Sequence, residues 1–429
     1  MTDTSENERW CAAAKILHDV AKPIKVLSAL AWPGDARETF LASGGTRLPE
    51  VEYTGFDPGP ALDGVAAARR ELRGGTFVDE WLESESRSIE STALMMGSVG
   101  TQAFSVYSGQ VYGVPTRPLR YDPTTPLELA TQVHETIDEL KTVGLLVPPP
   151  RDRTGEEVAA VLAAAVAEHF GDDAPEVQVV DELSANAAAS ASRIRVRRDA
   201  RFTARDAAQL LNHEAFIHVA TALNGKAQHD LPILAVGHPG TTRTQEGLAV
   251  FSEFVSGSLD LDRLRRLADR VLAVQLVIDG ADFMELYRWF LERAADEEQA
   301  FESTRRIFRG APLDGGAPFT KDCGYLSGLL GVTTFVRAAF AAGRSDTLGL
   351  LFAGKLDLWA IPALSELRSR GLCRPARFLP PWARDPAWVL TYLTLSTFMA
   401  RIDLDAVTAT VHDVLARCPE VRIEVPPEP

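Results

Sequence analysis

A chain of 429 residues, 46% hydrophobic and 24% charged, has ordinary globular usage, which excludes a disordered, collagen-like or low-complexity protein. Acidic residues number 59 against 44 Lys plus Arg, a formal charge of −15, so the net field repels phosphate backbones and anionic lipid headgroups and disfavours a nucleic-acid or membrane-surface role. Cys11, Cys323, Cys373 and Cys418 stand far apart without paired spacing, which offers neither a disulfide framework nor a thiolate metal site and fits a cytoplasmic location.

The polar, acidic stretch Met1–Trp10 lacks the basic-then-apolar pattern of a secretory signal, so no export is expected. Apolar residues then recur at helical spacing over Asn7–Val20, Ala61–Arg73, Phe77–Val111 and Pro126–Val143. Within Val147–Arg153 the run Pro148-Pro149-Pro150 cannot continue a helix. The expected organisation is therefore a helical N-terminal region over residues 1–147 and a main domain over residues 154–429, with one continuous unit as the alternative.

Beyond that break, Glu156–His169 reads as a helix, Pro175–Val180 as a strand, and Ser190–Arg197 as a half-exposed strand with a basic polar face. Thr203 and Asp206 have capping-box spacing and open a helix that runs through Leu210 and Leu211 to Asn224, with Gly225 as its stop. A loop over Lys226–Thr241 follows, and Thr242 with Gln245 makes a second capping-box pattern for a helix reaching about Gly257. Helical patterns then cover Leu261–Ile278, Asp282–Ala294, Glu297–Arg309, Lys321–Ala342, Ala363–Arg370, Pro386–Phe398 and Leu404–Arg417. The apolar runs Gly343–Trp359 and Trp388–Ala400 are broken by charge or short for a bilayer that needs about 20 apolar residues, so no membrane span is expected.

The chemistry is concentrated in His213-Glu214-Ala215-Phe216-Ile217-His218, a His-Glu-x-x-x-His pattern on a predicted helix. It is one residue longer than the zinc-protease spacing, in which two histidines share a helix face and the Glu beside the first is the general base. Five positions along a regular helix turn through roughly 140°, which would point the imidazoles apart. A π-bulge between Glu214 and His218 absorbs the extra residue, and one is expected there. A catalytic zinc site needs a third ligand. Glu246, in the first turns of the next helix, is favoured, with Gly247 beside it allowing close backbone approach. Glu253, seven residues on, is either an alternative ligand or an acceptor for a histidine N–H, and His229 and His238 are rivals in the loop.

These residues, with Leu223-Asn224-Gly225, Gln245-Glu246-Gly247-Leu248-Ala249 and Pro318-Phe319-Thr320-Lys321-Asp322 to Tyr325-Leu326, resemble the bacterial proteins named for their QEGLA motif, relatives of the eukaryotic microtubule-associated tyrosine carboxypeptidases. The resemblance spans about Leu27–Gly343. It implies a zinc metallopeptidase-like fold in which His213, His218 and Glu246 hold one zinc ion and Glu214 is the base. The eukaryotic members remove a C-terminal tyrosine from tubulin-type tails, a substrate that the resemblance does not carry to this chain.

The expectation is thus a predominantly helical α+β protein with a zincin-like metallopeptidase core, a small β-sheet and an N-terminal helical region. Its expected activity is carboxypeptidase-like, on peptide or protein C-termini, with Glu214 activating a zinc-bound water. Tyr325 and Lys321 are the candidates for stabilising the oxyanion, and Arg243, Arg305, Arg306 and Arg309 for binding a terminal carboxylate. The arginines gathered in Arg193–Arg201 and Arg305–Arg309 predict a locally basic cleft on an acidic body. A metal-free regulatory or scaffold protein and a zinc hydrolase of non-peptide amides remain alternatives at this level.

Overall fold

The computed structural model of the chain describes residues 2–120, 122–142, 149–181, 183, 186–294, 296–399, 411 and 416–417. The helix expected over Leu404–Arg417 falls almost wholly outside these residues, as does the approach to Pro149. Helices dominate, and one three-stranded sheet accompanies them among the described residues. Met1–Arg384 forms one compact unit, and Asp385–Pro429 a second whose described helix is Ala387–Met399.

Two of the apolar cores in the first unit position the site. In one, Leu30, Phe40, Met95 and Phe104 pack with Phe283, Phe301, Phe308 and Phe319. Phe40 meets Phe283 edge-on at 5.6 Å and Phe104 tilts against Phe319 at the same separation, geometries that aromatic quadrupoles favour. Helices that precede the proline run thus share a core with helices beyond Leu261, and Phe319 anchors the Pro318–Asp322 segment there. In the other core, Val158, Leu162, Val166 and Phe170 of the helix Gly155–Phe170 cover Ile194 and Val196 together with Ala215, Phe216 and Val219.

The sheet is mixed, with strands β1 (Glu176–Val180), β2 (Ala187–Ala189) and β3 (Arg193–Arg197) in the order β1-β3-β2. β1 runs parallel to β3, with Val177 opposite Ile194 and Val179 opposite Val196, and β2 pairs antiparallel on the far side. Alternation on β3 is as the sequence predicts, Ile194 and Val196 wholly buried and Arg193 and Arg195 exposed. β2 has no sequence signal, because three alanines carry no strand preference and only pairing to β3 defines it.

Three sequence expectations are corrected. The stretch Phe77–Val111 is two helices, Phe77–Gly97 and Gln102–Tyr112, separated at Gly100, whose φ of +80° favours glycine and whose N–H donates to the Gly310 carbonyl at 2.8 Å. Gly225 does not stop its helix but lies inside Ala220–Lys226, where a Cβ would stand 2.2 Å from the Leu234 carbonyl oxygen. The helix carrying Glu246 starts at Pro239 and not at Thr242, since a proline at the first helical position loses no hydrogen bond. By contrast the Thr203–Asp206 capping box is present, with Thr203 N–H donating to Asp206 Oδ2 at 2.7 Å and Asp206 N–H to Thr203 Oγ1 at 3.3 Å.

Against Pro239–Val255 packs the helix Cys323–Ala341, backbone to backbone at Gly247 and Gly328. Thr320–Ala341, 22 residues, is long and apolar enough by composition to cross a bilayer; in this fold its glycine face is spent on that contact.

Candidate metal centre

The expected π geometry is present over Leu211–Val219, between the helical turns Asp206–Leu210 and Ala220–Lys226. Its apolar side, Ala215, Phe216 and Val219, enters the core beneath β3. The wider π turn brings residues five apart onto one side, and the His213 and His218 rings lie 4.9 Å apart at 83°. Glu246, from Pro239–Val255, completes a group whose ligand atoms all lie within 4.8 Å of one another.

Glu246 Oε2 stands 3.4 Å from His213 Nε2 and 3.6 Å from His218 Nε2, and this buried oxygen has no hydrogen-bond partner. A tetrahedral ion with bonds of about 2.0–2.2 Å holds its ligand atoms about 3.3–3.6 Å apart. Both nitrogen-to-oxygen separations match that spacing, and two imidazoles with one carboxylate are a donor set that suits zinc.

The residues behind the three orient them. Glu253, fully buried, lies with Oε1 2.6 Å from His213 Nδ1. Burial alone would raise its carboxyl, but Arg263 and His213 outweigh burial and pull it down to about 2. An ionised carboxylate only accepts, so Nδ1 donates and Nε2 is the nitrogen turned to the site. Arg263 holds Glu253 through both oxygens, Nε to Oε2 at 3.2 Å and Nη2 to Oε1 at 3.1 Å. Of the two roles left open for Glu253, the structure gives it that of acceptor. Burial lowers His213, yet the neighbouring carboxylates of Glu246 and Glu253 raise it to about 10, so a cation arriving at Nε2 displaces a proton. Among the loop rivals, His238 is buried against Glu85 at 2.5 Å, and His229 is exposed.

Glu214 lines the same cavity as the three, together with Tyr325 and Lys321. Lys321 Nζ is 3.2 Å from Glu246 Oε1 and 3.4 Å from the Tyr325 hydroxyl. Burial lowers Lys321, but Tyr325, Glu246 and Asp322 outweigh it and keep the ammonium protonated. The cavity, about 840 Å³, shares His213, Glu214, Arg306 and Tyr325 with an adjoining one of about 440 Å³ that adds Arg151, Arg201, Arg263, Arg266, Arg270 and Arg293 to the wall. The expected arginine-rich cleft is therefore there, although several of its cations are already paired with carboxylates.

Of the four arginines expected to bind a carboxylate, Arg305 pairs with Glu302, and Arg306 grips Asp322 through two bonds of 2.8 and 2.7 Å. Arg309, only 8% exposed and lining the larger cavity, pairs with no carboxylate among the described residues, and its Nε has no hydrogen-bond partner. Arg243 is a correction: it does not line the cavity, because it sits three residues before Glu246 where its charge lies beside Asp357.

Family membership is decided by extent. A family described as microtubule-associated tyrosine carboxypeptidase matches residues 38–401. The chain belongs to this family. No curated protein matches it. The matched span contains the π segment, the carboxylate helix and the Lys321–Tyr325 pair, so His213, Glu214, His218, Glu246, Lys321 and Tyr325 all lie inside it.

Sequence reasoning missed Arg263 and Lys355. The first lies ten residues beyond Glu253 on another helix. Lys355 comes from a connecting segment far along the chain and donates to the His218 carbonyl and Gln245 Oε1. Nothing local to either residue signals the site.

The Arg306–Asp322 pair gives a pH prediction. Burial raises Asp322, but Arg306 and Arg270 hold it far below the ordinary carboxyl value of 3.8. Stability from such a depressed group is complete above its unfolded pKa and is lost as pH falls through the folded one. Melting temperature is therefore expected to fall steeply below about pH 4, and Asp322→Asn, less stable at neutral pH, should show a flatter slope over that range. Equal slopes in the two proteins would refute the assignment.

Proposed function

We propose that the chain is a zinc-dependent metallohydrolase with a zincin-like core that removes residues from the C-termini of peptides or proteins. The observation that carries this reading is the convergence of His213 Nε2 and His218 Nε2 on Glu246 Oε2, an oxygen without a hydrogen-bond partner, at the wall of a cavity that also holds Glu214. Family membership supports the carboxypeptidase part of it.

Zinc, when bound, polarises the scissile carbonyl and acidifies a water. Glu214 is the base that takes the water's proton and returns it to the leaving nitrogen. The Tyr325 hydroxyl and Lys321 ammonium, held 3.4 Å apart, supply two donors for charge developing on the carbonyl oxygen. β2, an edge strand whose Ala187–Ala189 line the cavity, offers backbone groups to an extended substrate. Of the arginines expected to bind a carboxylate, Arg309 is the one that lines the cavity without an ion pair among the described residues, and it receives the terminal carboxylate.

Elemental analysis should find one zinc per chain in the wild type and almost none in Glu246→Ala; a wild type that neither holds nor takes up zinc ends the enzyme reading. Peptides with a free C-terminus should be cut and amidated ones ignored. For free peptides Arg309→Leu should lower kcat/KM by about 10- to 100-fold, the loss of a charge-assisted hydrogen bond, mainly through KM. Unchanged KM would move carboxylate binding to another residue.

A further inference from the structure

Lys355 lies outside every motif, between the short helical segments Ser345–Phe352 and Leu358–Ala360. Its Nζ stands 3.0 Å from the His218 carbonyl oxygen and 3.0 Å from Gln245 Oε1. Gln245 Oε1 is also 2.8 Å from Thr221 Oγ1, which lies 2.7 Å from the Ile217 carbonyl. One ammonium therefore touches the π segment at a histidine and the carboxylate helix at the residue beside Glu246.

The lysine is anchored from a rigid base. Its N–H donates to the Leu234 carbonyl at 2.7 Å. A Cβ on Gly354 would stand 2.5 Å from that same oxygen, and one on Gly225 2.2 Å from it. Three backbone segments thus stack around Leu234 with no side chain between them, which fixes where the Lys355 stem begins.

The π segment needs such support. Ala215, Phe216 and Ile217 suit an ordinary α-helix equally well, and regular α geometry would turn His213 and His218 to different sides. We propose that Lys355 is a positioning residue for the metal centre: by donating to the His218 carbonyl and to Gln245 Oε1, it holds the π segment in register with the helix that carries Glu246. The proposal rests on the reading that His213, His218 and Glu246 bind zinc. It also gives the first residue of the Gln-Glu-Gly-Leu-Ala motif a task, as the acceptor through which Lys355 reaches that helix.

Charge and position predict opposite signs. A buried cation repels an incoming metal ion, so if charge were all that mattered, Lys355→Met would tighten zinc binding. If positioning dominates, zinc binding weakens by about 10- to 100-fold, as for other residues that orient ligands from behind. The experiment measures the zinc dissociation constant of the full chain by competition with a chromophoric chelator, and the melting temperature of the metal-free protein.

Lys355→Met and Gln245→Met should each weaken zinc binding. The double variant should be little worse than the weaker single one, because both remove the same contact. Lys355→Arg should recover part of the loss. Unchanged or tighter binding in folded Lys355→Met, even with a lower metal-free melting temperature, overturns the proposal. Should Lys355→Met fail to fold, unchanged affinity in Gln245→Met overturns it instead. A wild type without zinc affinity removes the metal reading itself, a result distinct from a wild type that binds zinc and variants that bind it equally well.

Discussion

Glu214→Gln should retain one zinc per chain and lose about 10²- to 10⁴-fold in kcat, the range expected for removal of a general base. The amide matches the carboxylate in size and can still accept a hydrogen bond, but it cannot take a proton at neutral pH. Neither the ligand group nor its supports include Glu214: the three converging residues are His213, His218 and Glu246, and Glu253 with Arg263 stands behind His213. Metal content and kcat therefore separate cleanly in this variant. Full activity with full zinc would remove Glu214 from the mechanism, and loss of zinc would show that it supports the ligands. The KM for free peptides should change little, since the amide keeps the size of the Glu214 side chain in the cavity wall and Arg309 is untouched.

The second large effect is on stability. At Gly247 an added Cβ would stand 2.2 Å from the Gly328 carbonyl carbon, and at Gly328 one would stand 2.1 Å from the Arg243 carbonyl oxygen. Both obstacles are backbone, so no rotamer change relieves the clash and the two helices must separate. Gly247→Ala is expected to cost about 3 kcal/mol or more, the upper range of overpacking, although alanine favours helix in isolation. Because Gly247 adjoins Glu246, zinc affinity should fall as well. A matched control is Gly349→Ala, where nothing lies within 4 Å of the added carbon and little change is expected. Comparable melting temperatures for Gly247→Ala and wild type would refute the packing argument.

Legibility in the sequence followed the range of the interaction. The π turn was readable because spacing conflicts with geometry: histidines five apart cannot share an α-helical face, and the chain resolves the conflict within Leu211–Val219. β3 was readable because Ile194 and Val196 alternate with arginines, whereas β2 is three alanines defined only by their partner. Gly225 misled because the residue that ends many helices also permits another backbone to approach, and here the Leu234 carbonyl occupies that space. Arg243 is a candidate by the chemistry of its guanidinium alone, and residue type does not decide whether a side chain lines the cavity, which Arg243 does not.

The sequence by itself determined the donor types and their local spacing: two histidines with an intervening glutamate, a second glutamate on the next helix, and too few clustered cysteines for a thiolate site. Those properties depend on residue identity and on backbone geometry over a few turns, which are local. Only the tertiary structure decided that Arg309 lines the cavity without an ion pair among the described residues, that Glu253 orients His213 through an ion pair with Arg263, and that Lys355 joins the two elements of the site. Each of these joins groups brought within hydrogen-bonding distance by the packing of separate segments. The strength of a buried charge pair is set by that distance and by the exclusion of water, neither of which a residue's neighbours in sequence prescribe.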